Sequence, residues 1–257
     1  MTKGSRTAIV TGGLSGMGLA IARRLIRDGV DVSIGARRGG DAKAVREILG
    51  PDGIGAHVAA LDVRSSESVE GFVAEVVARR GGVDILVNAA GVYSEAPVIG
   101  HPDDVWDDQI DTNLSGTFRM IRAVMPHMKS AGFGRIVNMA SVAAHQGLAD
   151  NAAYCASKAG LLGLGRCVSL EGAAHGITCV SISPTWVETE MLKSFIDADI
   201  TASGKPREEV RADYAASNPQ NQLVQPEEIA ELAAFLVSEA GRAITMEDIQ
   251  VNAGSLW

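Results

Sequence analysis

Near its N-terminus the chain reads Thr11-Gly12-Gly13-Leu14-Ser15-Gly16-Met17-Gly18, directly after the apolar run Thr7–Thr11 and at the start of a helix-like segment, Met17–Asp28. Glycine lets a backbone turn tightly and approach a ligand closely, and a helix N-terminus presents free N–H groups and a partial positive charge to an anion. The order of strand, glycines and helix therefore predicts a loop that binds a pyrophosphate. A glycine-rich turn without a ligand is the alternative.

Apolar strand-like runs and helix-like segments alternate along the rest of the chain. We predict strands at Thr7–Thr11, Val32–Gly35, Ala56–Leu61, Asp84–Asn88, Arg135–Met139, Ile177–Ile182 and Ile249–Val251. We predict helices at Met17–Asp28, Ala42–Leu49, Ser66–Arg80, Asp103–Lys129, Ala152–His175 and Glu227–Ser238. Strands that are apolar on both faces, with helices between them, indicate a parallel sheet covered on both sides. Right-handed crossovers make this a doubly wound α/β fold, and we expect one domain over residues 1–257.

The stretch Thr185–Gln225 departs from this alternation because it is polar and irregular and contains Gly204, Pro206 and Pro219. It follows the C-terminal end of a predicted strand, where open α/β sheets bind ligands. We therefore expect a lid over the substrate in this stretch. A surface excursion without a function is the alternative.

Composition excludes several classes of protein. The 257 residues are 46% hydrophobic and 21% charged, which excludes disorder, and no apolar run approaches the ~18–20 residues of a membrane span. The N-terminus has no secretory apolar region, so we predict a cytoplasmic protein that does not bind a membrane. The net charge of −8 argues against a nucleic-acid partner. The five histidines and three cysteines show no metal-ligand spacing, and we expect reduced thiols and no metal site.

Further motifs follow the later strands. Asn88-Ala89-Ala90-Gly91 follows the fourth predicted strand, Asn113 lies in the long helical region, and Ser141 ends the fifth strand. Tyr154 and Lys158 form a Y-x-x-x-K motif 13 residues after Ser141. With the GxxxGxG spacing near the N-terminus, these motifs resemble the short-chain dehydrogenase/reductase family over nearly the whole chain, with 3-oxoacyl reductases and 3-hydroxybutyrate dehydrogenases as similar members. The resemblance implies a Rossmann-type fold and hydride transfer between a nicotinamide cofactor and a small ketone or secondary alcohol.

The resemblance also implies the catalytic roles. Tyr154 would be the general acid or base, and Lys158 lies one helical turn later on the same face, where its ammonium would stabilise the phenolate and hold the nicotinamide ribose. Ser141 would donate a hydrogen bond to the substrate carbonyl oxygen. Asn113 would hold a water molecule that connects Lys158 to solvent.

The cofactor is predicted to be NADP(H), with NAD(H) as the alternative. NAD enzymes usually have an acidic residue at the end of the second strand, whereas this chain has Ala36 and then Arg37. A guanidinium can pair bidentately with a 2′-phosphate. The predicted cofactor-binding residues are Gly12, Leu14, Ser15, Gly16, Met17, Gly18, Arg37, Asp62, Val63, Asn88, Ala89, Gly91, Tyr154, Lys158, Pro184, Val187 and Thr189. The chain departs from the family pattern at Ala89, usually asparagine, and at Thr185, usually glycine.

Three other functions remain in competition with this interpretation. A methyltransferase on a similar sheet would have no use for Tyr154 and Lys158. A non-catalytic NADP-binding regulator would have lost part of the set of Ser141, Tyr154 and Lys158, all of which are present here. A nucleotide-sugar epimerase or dehydratase would have a longer substrate domain and GxxGxxG spacing.

Substrate and assembly are predicted more coarsely. The expected lining of the pocket is Val92–Ala96, Val142–Leu148 with His145 and Gln146 as polar contacts, Trp186 and the segment Leu192–Tyr214. The basic residues Lys193, Lys205, Arg207 and Arg211 would either contact an acyl carrier or coenzyme A or be solvated. Small residues on Ala152–His175, together with the family's usual assembly, imply a homo-oligomer, a tetramer; packing within the chain is the alternative. The C-terminal Leu256-Trp257 would cover a neighbour's pocket or pack on its own subunit.

Overall fold

A single parallel sheet organises the structure. The computed structural model describes residues 5–37, 39, 42–50 and 55–256, and within them the strands are β1 (Thr7–Thr11), β2 (Asp31–Ala36), β3 (His57–Ala60), β4 (Ile85–Asn88), β5 (Gly134–Met139), β6 (Ile177–Pro184) and β7 (Asp248–Val251). Their spatial order is β3-β2-β1-β4-β5-β6-β7, and every neighbouring pair is parallel. The predicted doubly wound parallel sheet is confirmed.

Helices cover both faces of the sheet. They are α1 (Gly16–Arg27), α2 (Ala42–Leu49), α3 (Ser66–Arg80), α4 (Asp103–Gln109), α5 (Gly116–Ala131), α6 (Ala152–Gly172), α7 (Glu190–Ser203), α8 (Arg207–Ala216) and α9 (Pro226–Val237). On one face, Ile21 and Leu25 of α1 are buried with Ile229 of α9. On the other face, Phe72 of α3 is buried with Met120 of α5. Each such side chain contributes about 1.5–3 kcal/mol by leaving water, and this burial holds the strand ends in place.

The chain reverses its direction across the sheet between β1 and β4. From β1 it builds outward to β2 and β3, and it then returns to place β4 beside β1 and continues to β7. Open α/β sheets bind ligands outside the carboxyl ends of the strands at such a switch point. The glycine-rich loop after β1 and the segment after β4 therefore meet where a ligand is expected.

The long helical region predicted over Asp103–Lys129 is divided by a π-helical turn. The helix α4 ends at Gln109, a π-helical segment covers Ile110–Ser115, and α5 starts at Gly116. A Cβ on Gly116 would lie 2.7 Å from a methyl carbon of Val63, so the small residue allows the close packing at this junction. Such π-turns often occur at functional sites, and this one carries Asn113.

The expectation of an irregular stretch at Thr185–Gln225 is wrong, because this stretch contains the helices α7 and α8. Thr189 caps α7 through its side chain, and Gly204 ends it with a φ of +71°. Leu192 and Ile196 are buried four residues apart, in a small core that includes Val210 of α8. The two helices are amphipathic, and their many exposed polar residues conceal this pattern in the sequence.

Other boundaries differ by one or a few residues. β3 is shorter than the predicted Ala56–Leu61, and the helix predicted over Ala152–His175 finishes as a 3₁₀ turn, Ala173–His175. Trp257 lies outside the described residues, so the two alternatives for it stay predictions. No helix in the described part of the chain has the length and apolar character needed to cross a membrane.

Candidate active site

The glycine-rich loop is packed so closely that side chains would not fit in it. Gly12 has a φ of +65°, and a Cβ on it would lie 2.9 Å from Cα of Ala90. A Cβ on Gly18 would lie 2.5 Å from the carbonyl oxygen of Gly12. The Gly12 N–H donates to the Gly35 carbonyl at 2.8 Å. The loop therefore forms a tight bare-backbone turn that leads into the N-terminus of α1, as phosphate binding requires.

Thr11 joins this loop to the segment after β4, a role that sequence reasoning missed. Its Oγ1 accepts hydrogen bonds from the N–H groups of Ala89 and Ala90, both at 3.1 Å. The Asn88 side chain is buried and donates to Oδ1 of Asn138 at 2.9 Å, and Ala89 packs against the core of α1 and α9. The only signal in the sequence is the position of the threonine, at the end of β1 directly before the glycines.

The start of α1 and the segment after β6 approach each other. A Cβ on Gly16 would lie 3.3 Å from Cγ2 of Thr189, the residue that caps α7. A single cavity is lined by Met17, Pro184, Val187 and Thr189. The structure thus brings together these predicted cofactor residues from two distant parts of the chain. Leu14 packs on the core of α1 and α9, and Ser15 is exposed at the N-cap of α1.

The predicted adenosine-binding residues lie at the ends of β2 and β3. Arg37 is exposed directly after β2. Asp62 binds Arg64 through both carboxylate oxygens, at 3.0 and 2.8 Å, and this pairing, with a smaller effect of the Arg37 charge, lowers the pKa of Asp62. Val63 is buried. Ser65 caps α3 through its side chain, so Asp62 is not needed as the cap of that helix.

Ser141 and Tyr154 meet at the wall of the cavity. Ser141 follows β5, and its Oγ accepts the N–H of Ala143 at 3.1 Å, which fixes the 3₁₀ turn Val142–Ala144. Burial raises the pKa of Tyr154 to about 12, and a hydrogen bond from Ser141 opposes this rise. Tyr154 is therefore protonated at neutral pH, which is the form that a general acid needs.

Lys158 lies behind Tyr154 and is 6% exposed. Its Nζ donates to the Met139 carbonyl at 2.7 Å and lies 5.5 Å from the centre of the Tyr154 ring. Burial lowers the pKa of Lys158 to about 8, so the side chain is mostly protonated at pH 7. A positive charge next to Tyr154 favours its phenolate form.

Asn113 uses its side-chain amide to hold the backbone after β4. Its Oδ1 accepts the N–H of Val92 at 2.8 Å, and its Nδ2 donates to the Val92 carbonyl at 2.9 Å and to Oγ of Ser157 at 3.1 Å. A Cβ on Gly91 would lie 3.2 Å from Oδ1 of Asn113 and 3.7 Å from Nζ of Lys158. The amide of Asn113 thus ties the segment after β4 to α6, close to Lys158.

The cavity next to Tyr154 has a volume of about 310 Å³. Gln146 and Trp186 line it, as predicted. The prediction for His145 is wrong, because its Nε2 lies 2.6 Å from Oδ2 of Asp248 on β7 and the residue does not line the cavity. Sequence reasoning missed Asn218, which is fully buried, lines the cavity and accepts a hydrogen bond from Thr185 at 2.9 Å.

The basic residues of α7, of α8 and of the turn between them all pair with carboxylates. The pairs are Lys193 with Glu190 at 2.6 Å, Lys205 with Asp213 at 2.8 Å, Arg207 with Asp197, and Arg211 with Glu188 at 2.9 Å. This pairing partly neutralises the four cations, and both alternatives for them stay predictions. Among the described residues, no group of three histidine, cysteine, aspartate or glutamate side chains is arranged to hold a metal ion.

Comparisons with known proteins agree with this geometry. Residues 12–255 match the family model described as enoyl-(acyl carrier protein) reductase, and the chain belongs to this family of short-chain dehydrogenases/reductases. The chain is 39% identical over 252 residues to the monensin polyketide synthase putative ketoacyl reductase of Streptomyces virginiae, covering 97% of each chain. It is 36% identical over 249 residues to the 3-oxoacyl-[acyl-carrier-protein] reductase FabG of Salmonella typhimurium, covering 97% of this chain and 96% of the relative.

A solved structure is similar over the same length. A phenylalanine-to-tryptophan variant of actinorhodin polyketide ketoreductase, crystallised with NADPH, superimposes with a TM-score of 0.91 at 38% identity. The match covers 98% of this chain and 97% of the other.

Proposed function

We propose that the protein is an oxidoreductase that transfers a hydride between NADP(H) and a ketone or secondary alcohol, and that it works as a ketoreductase. The observation that carries this proposal is the placement of Ser141 and Tyr154 at one cavity, with the buried cation Lys158 behind them. The ketoacyl reductase and ketoreductase relatives, one of them solved with NADPH, support the same reaction.

The residues present fit a dinucleotide. The absence of side chains at Gly12 and Gly18 lets the loop pack tightly on its own backbone and on the segment after β4, and this turn leads into the N-terminus of α1. A pyrophosphate would bind there, where N–H groups and the helix dipole stabilise negative charge. Arg37 would pair with the 2′-phosphate, and the Asp62 carboxylate would meet the adenine. Thr189 and the backbone near Val187 would hold the carboxamide of the nicotinamide. NADPH, when bound, supplies the hydride.

The proposed chemistry of the chain's own residues is a proton transfer at the substrate oxygen. Ser141 donates a hydrogen bond to the carbonyl oxygen and stabilises the negative charge that develops there. Tyr154 then gives its hydroxyl proton to the alkoxide, and the Lys158 ammonium stabilises the resulting phenolate. Such general acid catalysis contributes about 10²–10⁴-fold. Asn113 supports the water path to Lys158 by fixing the segment after β4.

We also propose that the chain is a single cytoplasmic domain that assembles into a homo-oligomer, a tetramer. On α6, Gly160 packs on Leu114 within the chain, whereas a Cβ on Gly163 would meet nothing within 4 Å. The exposed residues Ala156, Ala159, Gly163, Cys167 and Leu170 form a stripe of small and apolar side chains at helical spacing on the outer face of α6. Light scattering of wild type beside Gly163→Glu tests this proposal, since the charge is expected to shift the protein to smaller species.

The function is tested by initial rates of nicotinamide oxidation across a ketone panel with NADPH and with NADH. We expect turnover of at least one ketone, and a preference for NADPH of roughly 10- to 150-fold, because hydrogen bonds to charged groups contribute about 1.5–3 kcal/mol. Arg37→Ala should remove most of this preference and leave the rate with NADH unchanged. Equal rates with both cofactors would contradict the role of Arg37, and binding of NADPH without turnover of any ketone would favour a regulator.

A further inference from the structure

The wall of the cavity is unusually rich in aromatic rings for this chain. Aromatic residues make up 4% of the sequence, yet all three of its tyrosines belong to one series of ring contacts. The series runs from Tyr154 to Tyr93, Phe195, Trp186 and Tyr214, with centroid distances of 4.9, 4.8, 5.8 and 4.9 Å and interplanar angles of 70–84°. Four of these rings line the cavity.

This arrangement can accept one more ring. Aromatic rings attract one another in edge-to-face geometry because the positive edge of one ring meets the negative face of the next. Phe195 and Trp186 line the cavity at its side formed by α7 and the segment after β6. A ring on the substrate would therefore extend a series of contacts that begins at the proposed proton donor, Tyr154.

The same cavity carries no charged side chain. Every residue that lines it belongs to the described part of the chain, and none of them is a lysine, arginine, histidine, aspartate or glutamate. The polar groups are uncharged, among them Gln146, Asn218 and Ser255. The buried Oγ of Ser255 has no hydrogen-bond partner among the described residues, so this wall offers a neutral polar contact. A buried carboxylate without a partner is strongly disfavoured.

Negative charges lie just outside the aromatic wall. The Tyr93 hydroxyl donates to Oε1 of Glu95 at 2.6 Å, and the Tyr214 hydroxyl donates to Oδ2 of Asp199 at 2.8 Å. Both carboxylates belong to exposed residues. They face the outer ends of two rings of the series, and they add repulsion against an anionic substrate that approaches from this side.

We infer that the cavity selects an uncharged ketone that carries an aromatic ring, in preference to a free keto acid or an aliphatic ketone of the same size. This inference rests on the proposed ketone reduction and defines its substrate class. Phe195 is the specificity-determining residue, since its ring lies 4.8 Å from that of Tyr93 and 5.8 Å from that of Trp186.

Two matched pairs of ketones test the inference on wild type at saturating NADPH. 4-Phenyl-2-butanone and 4-cyclohexyl-2-butanone differ in aromaticity, and two methylenes insulate the carbonyl from the ring. We expect kcat/KM to favour the phenyl compound roughly 2- to 12-fold, which is the fold-change that corresponds to the interaction energy of an edge-to-face ring pair. The methyl ester of 4-oxopentanoate and the free 4-oxopentanoate differ in charge, and we expect the ester to be favoured by at least about 100-fold.

Variants assign the ring preference to Phe195. Phe195→Leu should bring the phenyl-to-cyclohexyl ratio close to one, and Phe195→Tyr, which keeps a ring, should retain it. Phe235→Leu is the matched control, because Phe235 is 45% exposed on α9 and does not line the cavity. Its ratio should equal that of wild type. A ratio that is unchanged in Phe195→Leu, or a free acid reduced as well as its ester, would overturn the inference.

A binding measurement separates this inference from the proposed function. Calorimetric titration of the two butanones into Tyr154→Phe with NADPH bound measures affinity without turnover. If wild type reduces no ketone, but the phenyl compound binds to Tyr154→Phe more tightly than the cyclohexyl compound does, the proposed reaction is wrong and the selectivity stands. If ketones are reduced but neither rates nor affinities distinguish ring or charge, the selectivity is wrong and the proposed reaction stands.

Discussion

Replacing Lys158 by methionine should make the protein more stable, although it removes a residue that the proposed mechanism needs. Lys158 is 6% exposed, and burial lowers its pKa from the ordinary 10.5 to about 8. Because the folded state binds the proton less tightly than the unfolded chain, the charged lysine opposes folding. The penalty is complete below pH 8 and is relieved as the pH rises towards 10.5. At about 1.4 kcal/mol per pH unit, it amounts to about 3 kcal/mol at pH 7.

Methionine has a similar length and no charge, so Lys158→Met removes this penalty. The variant also loses the hydrogen bond from Nζ to the Met139 carbonyl, which contributes roughly 1 kcal/mol. The expected net gain in the free energy of unfolding is about 2 kcal/mol at pH 7. It should fall to near zero by pH 10, where wild-type Lys158 is neutral in the folded state.

Urea unfolding of the cofactor-free protein at pH 7, 8, 9 and 10, at one protein concentration, measures this gain. Lys129→Met is the matched control, because Lys129 is exposed near the end of α5. Its free energy of unfolding should stay within about 0.5 kcal/mol of wild type, as for most surface changes. The reasoning is refuted if Lys158→Met is less stable than wild type at pH 7, or if the gain does not decline by pH 10.

Three further predictions follow from the site. First, kcat/KM for ketone reduction should decline as the pH rises through about 8, where Lys158 loses its proton; a profile that is flat from pH 6 to 10 would contradict this. Second, Gly12→Ala should weaken NADPH binding at least about 10-fold by calorimetry, because its Cβ would lie 2.9 Å from Cα of Ala90 at a φ of +65°. An unchanged affinity would contradict this prediction, since it would show that the loop moves to accommodate the methyl group. Third, Asn113→Ala should lower the free energy of unfolding by about 2 kcal/mol in urea, since it leaves the N–H and C=O of Val92 without partners; a loss below about 0.5 kcal/mol would mean that water replaces the amide.

The parts of the fold that depend on local patterns could be predicted from the sequence. The glycine loop, the apolar strands and the order of elements led to the parallel sheet, because strand burial on both faces leaves continuous apolar runs. The helices α7 and α8 were missed although their signals are present. Thr189 caps α7, Leu192 and Ile196 follow at helical spacing, and Gly204 ends it. Exposed polar residues outnumber these signals in the sequence, so the stretch is predicted to be irregular.

The contacts that set up the site join residues far apart in the sequence, and no local pattern encodes them. Asn113 and Val92 are separated by 21 positions, and His145 and Asp248 by 103. The π-turn that carries Asn113 covers only Ile110–Ser115 between two α-helices, which is too short for apolar periodicity to reveal. Motifs therefore indicated which residues belong to the site, whereas the structure adds the partners that orient them.

The central claim is that Tyr154 donates the proton in ketone reduction, and a single-turnover measurement on Tyr154→Phe tests it most directly. NADPH affinity is measured by calorimetry, and NADPH oxidation is followed after mixing the enzyme–NADPH complex with the best ketone of the panel. We expect NADPH affinity within about 3-fold of wild type and an oxidation rate lowered by about 10²–10⁴-fold, the contribution of a positioned general acid. An oxidation rate within about 3-fold of wild type would contradict the role of Tyr154.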